Sequence, residues 1–144
     1  MRSNINLSRI VRTAGCCGVR QVICCGNAKI IDKIARDSID DENPAAVEIL
    51  VHRTLAPPLK ELKRAGYRLV GLEQTTGSRC LYDYRFERRS VLVVGNERLG
   101  LDDEILRLVD EAVEIPVYAL PYAYNAATAT AMALYEYCRQ FPRG

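Results

Sequence analysis

Residues 91–106 read Val-Leu-Val-Val-Gly-Asn-Glu-Arg-Leu-Gly-Leu-Asp-Asp-Glu-Ile-Leu. The first four are β-branched or leucine, with no polar residue among them. That pattern suits a strand buried on both faces, not one alternating between core and water. Gly95 stops the run and Gly100 closes the turn after it. Asp102, Asp103 and Glu104 then place acids where the start of a helix is electropositive. A strand, a glycine turn and an acid-started helix make one unit of an α/β fold.

The same unit recurs on either side. Short apolar runs lie at 19–25, 47–51, 67–72 and 112–115, several ending at Gly or Pro. Helical periodicity fills the gaps. At 7–17, Leu7, Ile10, Val11 and Ala14 share a side. At 57–65, Leu59, Leu62 and Ala65 do so ahead of Gly66, a favourable stop. A further helix is expected at 102–109, and a last long one from about Asn125 to Gln140. Doubly buried strands separated by helices predict an α/β fold, a mainly parallel sheet with helices on both faces. The acidic, turn-rich stretch 37–44 reads as a surface loop.

A chain of 144 residues and 16.2 kDa predicts one domain, 1–144, with a core that needs no staples. Hydrophobic residues at 49% and charged ones at 26% argue against disorder. No run approaches the ~18 apolar residues of a membrane span. The polar start Met1-Arg2-Ser3-Asn4 does not resemble a secretory signal, so a cytoplasmic protein is expected. The net charge of +2 is uninformative, but its distribution is not. Residues 1–36 carry +6 and residues 97–114 carry −5. One end could face a polyanion and the other could not. Solvated helix faces account for the same charges more simply.

Four of the six cysteines, Cys16, Cys17, Cys24 and Cys25, fall within ten residues. No C-x-x-C is present, and the single histidine, His52, is distant in sequence. A zinc site is therefore not expected, and the cysteines read as small buried hydrophobes. His52, at an expected strand end with no nearby nucleophile in sequence, reads as structural or surface. No dinucleotide fingerprint, P-loop or nucleophile elbow is present.

In parallel α/β folds, ligands bind beyond the carboxyl ends of strands. The loops to inspect follow Cys25, Leu72, Val94 and Ile115, and read GNAK, EQTTGSR, GNERLGLDDE and PVYALPYAYN. Three polar constellations stand out. Asn6 is a candidate N-cap, with Arg9 and Arg12 three apart on one helix face, a spacing that could read phosphate. Gly95 and Gly100 flank Glu97 and could let backbone groups approach a ligand. The stiff segment 115–125, with two prolines and three tyrosines, could wall a pocket before an Ala-rich helix. Taken singly, each also reads as a cap, a turn or a core helix.

In this order and spacing, the three resemble one family. The chain is similar to SpoU-type (TrmH) RNA 2′-O-ribose methyltransferases of the SPOUT superfamily, from Asn6 to Gln140. NLSRIVRTAGCCGV resembles the first family motif, VLVVGNERLGLDDEIL the second, and EIPVYALPYAYNAATATAMALYEYCRQ the third. The resemblance implies a C-terminal trefoil knot, which periodicity cannot reveal. It implies S-adenosylmethionine as cofactor, held by Gly95, Ile115, Tyr124 and Asn125, with Gln74, Thr75 and Gly77 as a further wall. It implies a homodimer with the site at the interface, and an RNA substrate.

By the same resemblance Arg12 is the key catalytic residue, supported by Asn6, Glu97 and Asn125. Arg9, Arg12 and Arg20 would contact RNA phosphates. A guanidinium is too basic for an ordinary general base, so Arg12 is expected to organise the phosphate and the 2′-hydroxyl. No metal is needed. Ala123-Tyr124 stand where the family usually has Ser-Leu. Without an extra RNA-binding domain in sight, tRNA is favoured over rRNA. The competing readings are a catalytically inactive knotted RNA- or protein-binding module, a SPOUT base methyltransferase and, more distantly, a flavodoxin-like ligand domain.

Overall fold

A computed structural model describes residues 4–26, 29, 31, 33, 47–95, 99–121 and 123–143. Helix α1 (Asn4–Cys16) leads to strands β1 (Gln21–Cys25) and β2 (Glu48–His52). Then come α2 (Ala56–Arg64), β3 (Arg68–Leu72), the two-residue β4 (Arg79–Cys80) and a 3-10 turn at Leu81–Asp83. Strand β5 (Ser90–Val94), α3 (Asp103–Leu108), β6 (Glu111–Glu114) and α4 (Ala126–Gln140) complete the described order. Every expected strand and helix is present within two residues or so at each end. Strand β4 and the 3-10 turn were not expected, because two residues leave no periodicity to read.

All described strand pairs are parallel. They form two hydrogen-bonded groups, not one continuous sheet: β1 with β2, and the order β4-β6-β3-β5. Strand β6 is the last in sequence yet lies between β3 and β4, so segment 73–78 must cross β6 to connect them.

Helices cover both faces of the four-stranded sheet, as the doubly apolar strands require. On one face Leu69 and Val93 pack with Ala56 and Leu59 of α2 and Leu101 and Ile105 of the α3 region. On the other, Val70 and Val113 meet Leu81, Tyr84 and Phe86, with Tyr137 of α4 and Phe141 against them. Leu69 and Val70 are both fully buried, because successive side chains of a strand point to opposite faces.

The chain after the 3-10 turn is sewn to α4. The Phe86 N–H donates to Gln140 Oε1 and Gln140 Nε2 donates to the Tyr84 carbonyl, each at 2.8 Å. Edge-on ring contacts link Tyr84 to Phe86 and Phe86 to Tyr137. Helix α1 buries Leu7, Ile10, Val11 and Ala14, the face its periodicity predicts, and also packs against α4. With Ile31 and Val47, Leu7 and Val11 form a separate core over β1 and β2.

Two expectations are corrected. Asn6 is not an N-cap: α1 starts at Asn4, and Asn6 is a buried polar residue inside its first turn. The cysteines are not buried hydrophobes: Cys16 and Cys25 are exposed and the other four half-buried, all as free thiols. Among the described residues, no helix is long and apolar enough to cross a membrane. Nor does any group of three His, Cys, Asp or Glu there stand where it could hold a metal ion.

Candidate active site

Glu73 fastens the loop after β5 with its side chain and strand β6 with its backbone, at the carboxyl end of β3. Glu73 follows the last residue of β3. Its N–H donates to the Val113 carbonyl of β6 at 3.1 Å. Its carboxylate accepts the Leu101 N–H from the loop after β5 at 2.7 Å. A charged acceptor on a backbone donor is among the stronger hydrogen bonds a loop can have.

The glycines expected to let the backbone approach a ligand also let it approach itself. Gly100 has φ +66°, and a Cβ there would strike the Glu73 carboxylate. A Cβ at Gly95 would overlap the backbone of Gly100 and Leu101. The turn after β5 is therefore folded back onto its own strand end, and only glycine fits at either position. Sequence reading had not singled out Glu73. Its signal was an acid placed directly after the apolar stretch Leu69–Leu72, where partial burial favours a hydrogen-bonded partner.

Two clefts flank these loops. The smaller, about 260 Å³, is lined by Gln74 and Cys80 on one side and Glu114, Ile115, Pro116 and Val117 on the other. It lies past the end of β6, where parallel folds place their ligands. The larger, about 580 Å³, lies beside the first half of β6, between the 75–79 segment and the end of α3, with Asp110 and Glu111 in its wall. Position favours the smaller cleft as the ligand site, despite its volume. Its lining combines apolar surface at Ile115, Pro116 and Val117 with polar groups at Gln74 and Glu114. That donor set suits a molecule with a flat heterocycle and hydroxyls.

The structure sorts the expected residues accordingly. Gln74 and Ile115 meet across the smaller cleft, while Thr75 and Gly77 face the larger one. Gly95 stands at the adjoining turn. Asn125 is the N-cap of α4, its Oδ1 accepting the Ala127 N–H at 2.9 Å, and Tyr124 beside it is exposed. Arg9 and Arg12 lie on the exposed face of α1, and Arg20 is exposed just before β1. His52 is exposed at the end of β2, a surface position. Glu97 lies outside the described residues, as do Asn96, Arg98 and Tyr122.

Comparison with known proteins gives these features a context. The family model described as SpoU rRNA Methylase matches residues 1–135. The tRNA (guanosine(18)-2′-O)-methyltransferase TARBP1 of Mus musculus is 38% identical over 82 residues, 57% of this chain and 5% of that protein. The tRNA (guanosine(18)-2′-O)-methyltransferase of Aquifex aeolicus is 30% identical over 144 residues, 97% of this chain and 66% of that one. The chain thus spans less than two thirds of either curated relative. Among solved structures, the SpoU methyltransferase AviRb of Streptomyces viridochromogenes, in complex with the cofactor AdoMet, superposes with a TM-score of 0.77. That match is 25% identical and covers 99% of this chain and 58% of that one.

Proposed function

This chain belongs to the SpoU rRNA methylase family, and on that premise we propose that it moves a methyl group from S-adenosylmethionine to a ribose 2′-hydroxyl of structured RNA, tRNA in preference to rRNA. The observation that carries the reading is a mixed apolar and polar cleft at the carboxyl end of parallel strand β6, beside Glu73, which fastens the loop after β5. The tRNA preference draws on the two relatives named for guanosine 18 of tRNA.

Bound in the cleft, the cofactor supplies a methyl group already activated by its sulfonium. The protein's task is then alignment and handling of the hydroxyl proton. Gln74 and Ile115 hold the cofactor from opposite walls, and Gly95 presents backbone groups to it. Tyr124 and Asn125 close the side toward α4, and Thr75, which faces the larger cleft, acts on the cofactor only through its neighbour Gln74. Asn125 keeps the third loop in register by capping the helix that follows it. Arg12 positions the phosphate and 2′-hydroxyl of the target nucleotide, and a guanidinium suits that work better than proton abstraction. Glu97 belongs to the same site through the turn between Gly95 and Gly100. Asn6, buried on the packed face of α1, holds that helix in place and so positions Arg12 indirectly. Arg9 and Arg20 extend the phosphate-facing surface.

The chain acts as one domain, in the cytoplasm, and as a homodimer in which Arg12 of one subunit serves the cleft of the other. The insertion of β6 between β3 and β4, under the crossing segment 73–78, supports a trefoil-knotted C-terminal part. Methyl transfer to pooled tRNA and pooled rRNA, followed by mapping of the modified nucleotide, tests the proposal. A 2′-O-methyl nucleotide in tRNA is the expected product. A methylated base would overturn the ribose reading. Cofactor binding without transfer to either pool would point to a binding module.

A further inference from the structure

Two of the most exposed large side chains lie on the segments that carry the walls of the smaller cleft. Tyr82 is 67% exposed and Tyr118 78%. Neither contributes to a core, and a lone exposed tyrosine would need no explanation. These two are joined: the Tyr118 hydroxyl donates to the Tyr82 hydroxyl at 3.2 Å, across 36 residues of chain. Their positions give the pair a purpose. Tyr82 lies on the 3-10 turn, two residues after Cys80 of one cleft wall. Tyr118 directly follows Val117 of the opposite wall. The hydrogen bond therefore joins the two segments that carry the opposite walls. The wall it tethers is a loop between Pro116 and Pro121, stiff in itself but without regular hydrogen bonding.

We infer that the Tyr82–Tyr118 pair is a latch across the cofactor cleft, with Tyr82 a positioning residue that pre-organises the 116–121 loop for S-adenosylmethionine. The inference rests on the reading of this cleft as the cofactor site. Holding the loop in its bound shape before binding lowers the ordering cost at the moment of binding, so the latch acts on affinity more than on chemistry. The Tyr118 phenol also titrates above its ordinary value, chiefly because of the bond to Tyr82. That offers a signature independent of activity.

The test uses the full chain and its Tyr82→Phe, Tyr118→Phe and double variants, titrated calorimetrically with S-adenosylmethionine. Each single variant should bind about three- to tenfold more weakly, the range for one neutral hydrogen bond. The double variant should lose no more than either single one, because one bond is broken in all three. Melting temperatures should fall by no more than a few degrees, since the bond is local to one loop. Ultraviolet difference titration should show the Tyr118 phenol ionising at lower pH in Tyr82→Phe. In steady state, KM for the cofactor should rise with kcat retained. Wild-type affinity in both single variants, or losses that multiply in the double variant, would overturn the latch. Failure of the wild-type chain to bind S-adenosylmethionine would instead overturn the cofactor reading, and the latch with it.

Discussion

The two sheets are made of similar strands but are held differently. In the two-stranded unit both strands are exposed at their ends and half-buried between. Its core consists of Leu7, Val11, Ile31 and Val47, with strand residues packed against it. In the four-stranded sheet the central strand β3 is buried on both faces, and side chains lock the elements to one another's backbones. Glu73 holds Leu101, Asp110 holds Leu69, and Lys63 caps the Leu108 carbonyl at 2.8 Å. Exposed Arg9, Arg12 and Arg20 stand on or beside α1 of the first unit, whereas the acids of 97–114 gather around the turn after β5, α3 and β6 of the second. The contrast separates two tasks. A small ligand needs loops fixed in place, whereas a polyanion needs an accessible charged face.

The sharpest way to break that division is Arg12→Ala. Methyl transfer should fall by about 10²-fold or more, while calorimetric affinity for S-adenosylmethionine stays near wild type. Wild-type turnover would mean that the arginine-bearing face of α1 does not take part in the reaction.

The next comparison is a matched pair, Leu69→Ala and Leu7→Ala, read by denaturant unfolding. Leu69 is inaccessible to solvent, so its loss should fall in the upper half of the ~2–5 kcal/mol range for such truncations. Leu7, at the edge of the smaller core, should lie at the lower end. Equal costs would show the two units to be equally rigid.

Asp110 tests one of the locks. The Leu69 N–H donates to its Oδ2 at 2.7 Å, the Asp110 N–H donates to the Leu69 carbonyl at 2.8 Å, and Lys63 Nζ lies 3.3 Å from Oδ1. Burial alone would raise this carboxyl, but the Leu69 N–H and then Lys63 outweigh it and leave it below its ordinary value. The unfolded chain therefore takes up this proton first as pH falls. The contribution is complete above the ordinary carboxylate range and is lost as pH drops below about 4. Asp110→Ala should cost about 1–3 kcal/mol at neutral pH. Asp110→Asn should flatten the acid limb of the stability curve.

The smallest effect belongs to the cap of α4. Asn125→Ala should cost about 1 kcal/mol, seen as a lower melting temperature. A fall in methyl transfer beyond that fraction would place Asn125 at the cofactor as well as on the helix.

The runs at 69–72 and 91–94 were readable because a strand buried on both faces leaves no polar residue in its middle. The arginine-bearing face of α1 was readable because its apolar face is spaced at helical period. Strand β4 could not be read, since two residues have no pattern. The fate of Asn6 could not be read either: an asparagine near a helix start looks the same whether it caps from outside or is buried one turn in. The cysteines misled because their hydrophobicity is a property of the side chain, while their exposure is set by what packs over them.

Sequence alone determined the alternation of strand and helix, the order of the three polar motifs and the family they belong to. Each depends on residue type and spacing along the chain. Only the tertiary structure decided that β6 lies between β3 and β4, that Glu73 fastens the loop after β5, that Gln74 and Thr75 face different clefts, and that Tyr82 meets Tyr118. Those facts join residues 28 to 43 positions apart, and pairing over such distances is settled by which buried donors find acceptors once the sheet has closed.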